Sequence, residues 1–558
     1  MEEKIKIELS DWLYNAGVIG LYNILEHNKD EVLKEDNFIE FDINLFENFE
    51  EKYFNYFIEK YEKFTSWYKI TSFEENILKW EEENFEKFNE KSLEILNNYI
   101  KDVLKKYLKS NSYIAAYNLI NNDFDIKSSE KEISTINLKK NQELKDVLND
   151  IKLMIEKIKK IINYFKENES KKYLAGKNVM YNIIKNGWNG VCFLNAQTKE
   201  KDMYIDYKKY FVDLTIEYNK TKKDKFKYNC FLCDREMKDL NNDLSFLNAT
   251  GFDTSRKSSH VWNFVNDIAV CPICKLIYSC VPAGINYVYS KGIFINDNSN
   301  IDSLININQK IRDEILREHE TNNSLTYRAM IIALEEEIND KVKYELSDIQ
   351  LVRYDEEKYR FNILSKKLLE VLRSSRDDLN KLIKTGFNEI NTYFNIYEEI
   401  LKKIMNGENL FLFIHKLLSL KLSKPVDAHY KMSHLKSMMY INIKFLKGVG
   451  FMENMENDIV DSGNKQGYFL RTEYEKRSSE NKIGGICYRL LNGLKTNNKD
   501  IFMDVIMNCY LYIGKTVPKI FVEALKSDEN FKTIGYAFVS GLINEKKDKN
   551  NGGNNNEK

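Results

Sequence analysis

Four cysteines are the residues whose types and spacing most clearly indicate chemistry. They form two Cys-x-x-Cys pairs, Cys230 with Cys233 and Cys271 with Cys274. Each pair can place two thiolates on one turn where both bind the same metal ion, and two pairs complete a tetrahedral Zn²⁺ site. Because four protein ligands leave no open coordination position, such a site is structural. The sequence therefore predicts a structural Zn²⁺ ion.

The 37 residues between the two pairs make a longer spacer than that of a compact zinc ribbon. We therefore expect two knuckles that a metal clips together across a loop. A thioredoxin-like redox pair and ordinary buried cysteines are the alternatives; two pairs without a βαβ pattern disfavour the redox interpretation. His260 lies between the pairs and is an alternative ligand, although a solvent-facing histidine beside Ser258 and Ser259 is the simpler interpretation.

No other motif gives positive evidence of catalysis. Gly514-Lys515-Thr516 resembles the end of a phosphate-binding loop, but Cys509 occupies the position of its first glycine. Residues 501–512, which precede it, also have a helical pattern, whereas a phosphate loop follows a strand. We therefore predict a helix that ends at Gly514. Because no catalytic motif is found, we also predict that the protein is not an enzyme.

The lysine-rich segment before the first cysteine pair is one candidate for nucleic-acid contact. Lysines attract phosphates without sequence preference, and aromatic rings stack on unpaired bases. Arg256 and Lys257, between the cysteine pairs, extend this basic face. A solvated lysine-rich loop is the competing interpretation. The segment contains Lys220, Lys222, Lys223, Lys225 and Lys227, interleaved with Tyr218, Phe226 and Tyr228.

A second candidate is the turn at residues 185–190, Lys-Asn-Gly-Trp-Asn-Gly. Asparagine side chains can read a minor groove, and an aromatic residue at a tip can wedge a base step. We expect Lys185 and Asn189 to contact duplex DNA, with Trp188 as a wedge or a support. The alternative is that Trp188 only anchors the turn in the core.

The charge of the chain is nearly balanced but unevenly distributed. Its 84 Lys and Arg against 85 Asp and Glu give a net charge of −1. Residues 1–100 carry a net −13, residues 101–227 a net +10 and residues 421–558 a net +6. Basic segments favour a polyanionic partner, although the abundance of Lys and Asn also fits an AT-rich genome.

No targeting or membrane segment is predicted. The start, Met1-Glu2-Glu3-Lys4, has no apolar signal core, and no run of about 18 uncharged apolar residues occurs. Paired thiols in such a chain suit a reducing cytoplasm, where they bind metals rather than form disulfides.

The patterns predict a predominantly α-helical, α+β, multidomain protein. Its N-terminal region is mixed α/β and carries the structural zinc site, and its C-terminal region is a helical bundle. Only four prolines interrupt the chain, so helices can be long. The predicted regions are 1–186 (helical), 187–300 (α/β with the zinc knuckles), 301–434 (helical), 435–545 (C-terminal helical bundle) and 546–558 (disordered tail).

Local patterns give finer expectations. Residues 10–25 predict a helix in which Gly17 and Gly20, on adjacent turns, permit close packing of another helix. Strands are predicted at residues 191–194, 210–218 and 285–295, and a further helix at residues 359–374.

Several landmarks resemble one family. The opening Asp11-Trp12-Leu13, with Asn15 to Gly20, is similar to that of the large subunit of type I-B CRISPR effector complexes (Cascade), in the Cst lineage. The same holds for the run from Trp188 to Asn195, for the paired Cys-x-x-Cys knuckles, and for the run from Tyr488 to Lys495. These landmarks occur in the expected order.

The resemblance implies a non-catalytic subunit that contacts the 5′ end of a guide RNA and recognises the motif flanking the target in double-stranded DNA. It also implies that the subunit helps to form the R-loop. Once the duplex is open, pairing with the guide RNA reads the target sequence. The implied partners are the backbone, guide-processing and small subunits, and a helicase-nuclease recruited in trans. Met432, Met438 and Met452 are possible internal starts for a separate small subunit.

Two functions of other classes remain open from the sequence. One is a stand-alone nuclease that contains a zinc ribbon, and the other is a zinc-stabilised adaptor with protein partners only. Cutting of DNA by the isolated protein with Mg²⁺ or Mn²⁺ separates the first from the large-subunit hypothesis.

Overall fold

The computed structural model describes residues 4–139, 142–250, 269–288, 291–297, 300–317, 328–330, 349–355, 357–451 and 458–543. These residues are mostly helical, with small antiparallel sheets, in two compact units. The first unit comprises Met1–Thr326 and Leu351–Phe361, and the second comprises Tyr327–Gln350 and Asn362–Lys558. The predicted fold class, a predominantly helical multidomain protein, is confirmed. The finer division into five regions stays a prediction.

Helices make up most of the first unit. Its α-helices are Trp12–His27, Phe49–Lys60, Ser66–Thr71, Glu74–Glu82, Glu90–Asn98, Lys105–Tyr107, Asn111–Tyr117, Ile126–Lys131, Leu148–Lys166, Asn168–Val179, Lys185–Gly187, Met203–Tyr207, Asp213–Lys220, Pro272–Ser279, Val281–Gly284 and Ile301–Arg317. Tyr99–Leu104, Met180–Ile184 and Lys208–Val212 are π-helical turns. Short 3-10 turns occur at Ile43–Phe46, Glu62–Phe64, Leu144–Val147 and Cys192–Leu194.

Three small sheets accompany these helices. Lys4–Glu8, Phe38–Asp42 and Leu33–Glu35 form one sheet in that order, and Tyr228–Asn229 pairs with Glu236–Met237. A four-stranded sheet has the order Asn286–Val288, Lys291–Asn296, Ile349–Asp355, Lys358–Leu364. Its first two strands and residues 351–361 belong to the first unit.

The described residues of the second unit form helices and a three-stranded sheet. Its α-helices are Lys366–Ser374, Arg376–Asn380, Ile396–Met405, Phe411–Ser423, Met432–Gly448, Asp458–Glu475, Ile483–Lys495, Lys499–Ile513, Ile520–Ala524 and Asp528–Ile543. Pro425–Asp427 and Glu480–Lys482 are 3-10 turns. The sheet has the strand order Thr392–Asn395, Gly386–Glu389, Ala428–His429.

The N-terminal helix Trp12–His27 packs closely on the helices that follow Cys271, as the glycine spacing predicts. Asp11 caps it by accepting hydrogen bonds from the backbone N–H of Leu13 and Tyr14. A Cβ atom on Gly20 would lie 1.9 Å from the carbonyl oxygen of Cys280, and one on Gly17 would lie 2.7 Å from that of Ile277. Only glycine therefore fits at this crossing.

Two predicted strands are wrong. Residues 191–194 contain the 3-10 turn Cys192–Leu194, and residues 210–218 lie in the helical turns Lys208–Val212 and Asp213–Lys220. In the second segment Phe211, Thr215 and Tyr218 are all buried, at helical rather than strand spacing. The high β-propensity of aromatic and β-branched residues suggested a strand, and packing overrides it.

Of the other local predictions, some are confirmed and one is confirmed only in part. Residues 285–295 are extended as predicted, in Asn286–Val288 and Lys291–Asn296. The helix predicted at residues 359–374 begins only at Lys366, after the capping residue Ser365, because the strand Lys358–Leu364 occupies its first part. Lys499–Ile513 is helical and ends at Gly514 with a φ of +67°, as predicted. The tail at residues 546–558 lies outside the described residues.

Candidate metal centre

The four cysteine sulfurs lie together in the first unit. Their Sγ atoms are all within 4.8 Å of one another, and Sγ of Cys233 lies 3.6 Å from Sγ of Cys271. A tetrahedral ion with Zn–S bonds of about 2.3 Å requires sulfurs about 3.8 Å apart. The four side chains therefore fit one metal ion, and the two pairs separated in sequence meet as predicted.

A tight hairpin presents the first pair. The strands Tyr228–Asn229 and Glu236–Met237 flank Cys230 and Cys233. The N–H of Cys230 donates to the carbonyl of Arg235 at 2.9 Å, and the N–H of Asp234 donates to the carbonyl of Cys230 at 3.1 Å. Asp234 adopts a φ of +56°, which closes the turn.

A helix N-terminus presents the second pair. Cys271 is the N-cap of Pro272–Ser279, and its sulfur accepts a hydrogen bond from the N–H of Cys274 at 3.5 Å. Pro272 at the first helical position favours this start. The N–H of Cys271 donates to Sγ of Cys230 at 3.2 Å, so the backbone of one knuckle supports a sulfur of the other. The helix dipole favours negative charge on these sulfurs.

The surroundings are mostly buried and include a cation, Arg235. Cys230, Cys271 and Cys274 are buried, and Cys233 is half-buried. Tyr14 places its hydroxyl 3.5 Å from Sγ of Cys274. Burial lowers the pKa of Arg235, but the nearby Cys233 sulfur raises it, and the net shift of the pKa is upward. Arg235 thus offsets part of the charge that four thiolates carry.

The remaining cysteines are buried and apart from this cluster. Cys192, Cys280, Cys487 and Cys509 are free thiols, and burial raises the pKa of each. These four side chains are buried as small apolar groups.

The lysine-rich segment at residues 220–227, here called the basic loop, is fastened to the first knuckle. The hydroxyl of Tyr218 donates to the carbonyl of Glu236 at 2.8 Å, and the N–H of Lys227 donates to that of Met237 at 3.1 Å. Nζ of Lys223 lies 4.7 Å from the ring centroid of Tyr218. Lys220, Lys222 and Lys225 are exposed, and none makes an ion pair with a described residue.

The turn at residues 185–190 is fastened to the second knuckle through Trp188. This side chain is 0% exposed, and its Nε1–H donates to the carbonyl of Ser279 at 3.0 Å, at the end of the helix that Cys271 caps. A fully buried ring cannot wedge a base step. Of the two roles offered by the sequence, only support fits, and we remove Trp188 from the residues proposed to contact nucleic acid.

Lys185 and Asn189 remain accessible beside it. Lys185 is exposed and Asn189 is half-buried. The backbone N–H of Asn189 donates to the carbonyl of Phe246 at 2.9 Å, whereas its side chain makes no hydrogen bond within the described ranges. Arg256 and Lys257 lie outside the described residues, as does His260.

Sequence reasoning missed one residue of this surface. Phe231, between Cys230 and Cys233, is 64% exposed, and the neighbouring Tyr228 is 43% exposed. The sequence feature that could have indicated this exposure is an aromatic residue inside a Cys-x-x-Cys loop, whose side chain is not a metal ligand. Together with the basic loop, these rings supply flat apolar surface beside positive charge.

Fold and site define the class: a mostly helical protein with a four-cysteine centre built from two knuckles. Residues 223–286, which contain all four cysteines, match a family model described as CRISPR-associated protein (Cas_CXXC_CXXC). This segment of the chain is therefore similar to CRISPR-associated proteins. No curated protein and no solved structure matches the chain. Among the described helices, none has the length and apolar character needed to span a membrane.

Proposed function

We propose that this protein is the non-catalytic large subunit of a type I-B CRISPR effector complex. It recognises the motif flanking a target in double-stranded DNA, contacts the 5′ end of the guide RNA and helps R-loop formation before a helicase-nuclease is recruited. The match of residues 223–286 to a CRISPR-associated family supports this proposal most strongly. The order of the other sequence landmarks adds the subtype.

The proposed metal is Zn²⁺, in a structural role. Four thiolates suit zinc and leave no position for a substrate. The ion joins two elements. One is the hairpin to which the basic loop is bonded, and the other is the helix Pro272–Ser279, to which Trp188 is bonded. Both surfaces proposed to contact nucleic acid therefore depend on the same centre for their position.

The two surfaces have different proposed roles. Lys220, Lys222 and Lys225 attract phosphates, and Tyr228 and Phe231 stack on unpaired bases of the opened duplex. At the turn, Asn189 reads base edges and Lys185 contacts the adjacent phosphate. The proposed partners are guide RNA, target duplex, and the backbone, guide-processing and small subunits in the cytoplasm.

The test compares complexes assembled with and without this chain. Target duplexes with a randomised flanking motif are bound and sequenced; we expect motif enrichment only when the chain is present. The isolated protein with Mg²⁺ or Mn²⁺ should leave DNA intact. Cutting by the isolated protein, or equal enrichment without it, contradicts the proposal.

A further inference from the structure

A cavity of about 350 Å³, lined by both polar and apolar atoms, lies within the first unit, and none of its lining residues is a cysteine. It is lined by the helix Ser66–Thr71, the segment around Ser110, the end of the helix Asn168–Val179 and the π-helical turn Met180–Ile184. The volume is in the range of small-molecule sites. A π-helical turn in the wall is a feature that often accompanies function.

Lys177 is the unusual residue of this wall. It lines the cavity and is only 7% exposed, and its side chain makes no hydrogen bond or ion pair with any residue that the structure describes. Burial lowers the pKa of Lys177, and Asp202 opposes this only from beyond ion-pairing distance. The ammonium group of Lys177 is not fully enclosed and has no partner among the described residues, so it is available to an anion in the cavity.

Lys69 adds a second cation to the same cavity. Its Nζ lies 5.9 Å from the ring centroid of Tyr107, and no described carboxylate pairs with it. No Asp or Glu is among the residues that line the cavity. The cavity is therefore positively charged, and its own wall provides no counter-charge.

Asn178 supplies neutral donors in a fixed orientation. Its Oδ1 accepts hydrogen bonds from the hydroxyls of Ser66 at 2.8 Å and Tyr113 at 2.9 Å, and from the N–H of Trp67 at 3.0 Å. These bonds identify Oδ1 and leave the amide N–H₂ group without a partner among the described residues. Two donors are thus available beside Lys177, as recognition of a phosphate oxygen requires.

An aromatic surface completes the cavity. Tyr181, on the π-helical turn, is 48% exposed and lines the cavity, as does Tyr107. We propose that the cavity binds a phosphorylated nucleoside, with the phosphate at Lys177, Lys69 and Asn178 and the base against a tyrosine ring. The ligand is a free mononucleotide or the terminal nucleotide of a strand. This inference does not rest on the proposed function.

Calorimetric titration of the full-length protein tests the site with four probes: adenosine 5′-monophosphate, adenosine, inorganic phosphate and a 5′-phosphorylated tetranucleotide. We expect the monophosphate to bind at least about tenfold more tightly than adenosine, because of charge-assisted hydrogen bonds to the phosphate. Tighter binding of the tetranucleotide identifies a strand end as the source, and weaker binding identifies a free nucleotide. Absence of binding by both phosphorylated probes overturns the proposal.

Two variants on the same helix give a matched comparison. Lys177→Met keeps the aliphatic stem and removes the charge, whereas Lys171→Met removes a lysine that pairs with Glu62 at 2.7 Å. We expect Lys177→Met to weaken binding of the monophosphate about tenfold or more, and Lys171→Met to leave it unchanged. Equal affinity of the two variants overturns the proposal.

A measurement on the unmodified protein covers the case in which Lys177→Met does not fold. Lysines are acetylated with limiting acetic anhydride and quantified by peptide mass spectrometry. Saturating adenosine 5′-monophosphate should slow acetylation of the exposed Lys69 severalfold and leave that of Lys171 unchanged. Unchanged acetylation of Lys69 under conditions where the nucleotide binds would place the ligand elsewhere and overturn the assignment.

Discussion

Cys271 has two structural roles at one sulfur atom. It lies within the four-sulfur cluster and also caps the helix Pro272–Ser279. Serine is a good N-cap, so Cys271→Ser preserves the cap and removes only the metal ligand. Any large loss of stability in this variant therefore reports on the metal.

We expect Cys271→Ser to lose stoichiometric zinc and to accumulate largely in insoluble form. Structural zinc provides on the order of 10 kcal/mol in small domains, comparable to the whole stability of a protein. Atomic emission on dialysed protein measures the metal, with Cys192→Ser, a change at a buried cysteine outside the cluster, as the control. One zinc per chain in the Cys271 variant would refute the assignment of this ligand.

Substitutions in the basic loop and in the turn at residues 185–190 should affect DNA binding by the assembled complex in different ways: the first should change affinity and the second motif preference. We expect Asn189→Ala to reduce discrimination between flanking motifs by about 1–3 kcal/mol, because base contacts carry specificity. Lys222→Ala combined with Lys225→Ala should weaken binding to all sequences and reduce the salt slope by about 2. Affinity for several flanking motifs, measured at several salt concentrations, distinguishes the two kinds of variant. An unchanged motif preference in the Asn189 variant would contradict the proposed base contact of Asn189.

At the scale of elements, the helix Trp12–His27 crosses the helices after Cys271 so closely that no side chain fits at the points of contact. Gly284 is as close as Gly20, since its Cβ would lie 1.8 Å from the carbonyl oxygen of Ala16. The backbones of two helices therefore define the position of the second knuckle. Metal ligands on one helix depend in this way on residues about 250 positions earlier in the chain.

Gly20→Ala should therefore destabilise the first unit by at least about 1–3 kcal/mol, the usual cost of overpacking. Thermal unfolding followed by circular dichroism measures this change. Gly485→Ala is the matched control, because a Cβ there meets nothing within 4 Å and alanine favours a helix. A Gly20 variant as stable as the control would contradict the close crossing.

Removal of the metal should affect particular elements. With a strong chelator, we expect hydrogen exchange to increase in Tyr228–Asn229, Glu236–Met237 and the first turn of Pro272–Ser279, because the metal holds them together. The helix Asp528–Ile543, in the second unit, should exchange as before. Zinc should restore protection; equal exchange with and without chelator would show that the knuckles hold without metal.

The sequence predicts these elements unevenly, for physical reasons. The cysteine spacing and the glycine pair act locally, so the knuckles and the close crossing could be anticipated. The segment at residues 210–218 could not, since its aromatic residues suit a strand as well as a buried helix face. The burial of Trp188 and the cavity beside Lys177 depend on residues far away in sequence, such as Ser279 and Ser66.

At the scale of the whole molecule, the second unit contains its own closely packed helix pair. A Cβ on Gly467 would lie 2.0 Å from the carbonyl oxygen of Phe538, and one on Gly541 would lie 2.1 Å from that of Asn464. Asp458–Glu475 and Asp528–Ile543 therefore pack backbone to backbone. This pairing can hold a C-terminal bundle together within one unit.

If this bundle is also produced from an internal start, we expect the start at Met432. This residue is the first of the helix Met432–Gly448, which packs on Asp528–Ile543. A start at Met438 divides that helix, and one at Met452 omits it. Intact mass of proteins purified from the expressed operon measures the start, and Met432→Leu should abolish the fragment while Met438→Leu preserves it. A fragment that begins at another methionine contradicts this prediction.

The close crossing at Gly20 also has a consequence during biosynthesis. The apolar helix Trp12–His27 leaves the ribosome more than 250 residues before Gly284, the residue on which it packs. At about 5–20 residues per second, this delay is roughly 13–50 s. During that interval the glycine face of the helix lacks its later partner, although Phe49–Lys60 is already available to pack on another part of it. Cys271 and Cys274 are the last of the four ligands to emerge. The four-sulfur site therefore cannot assemble until Cys274 has left the ribosome.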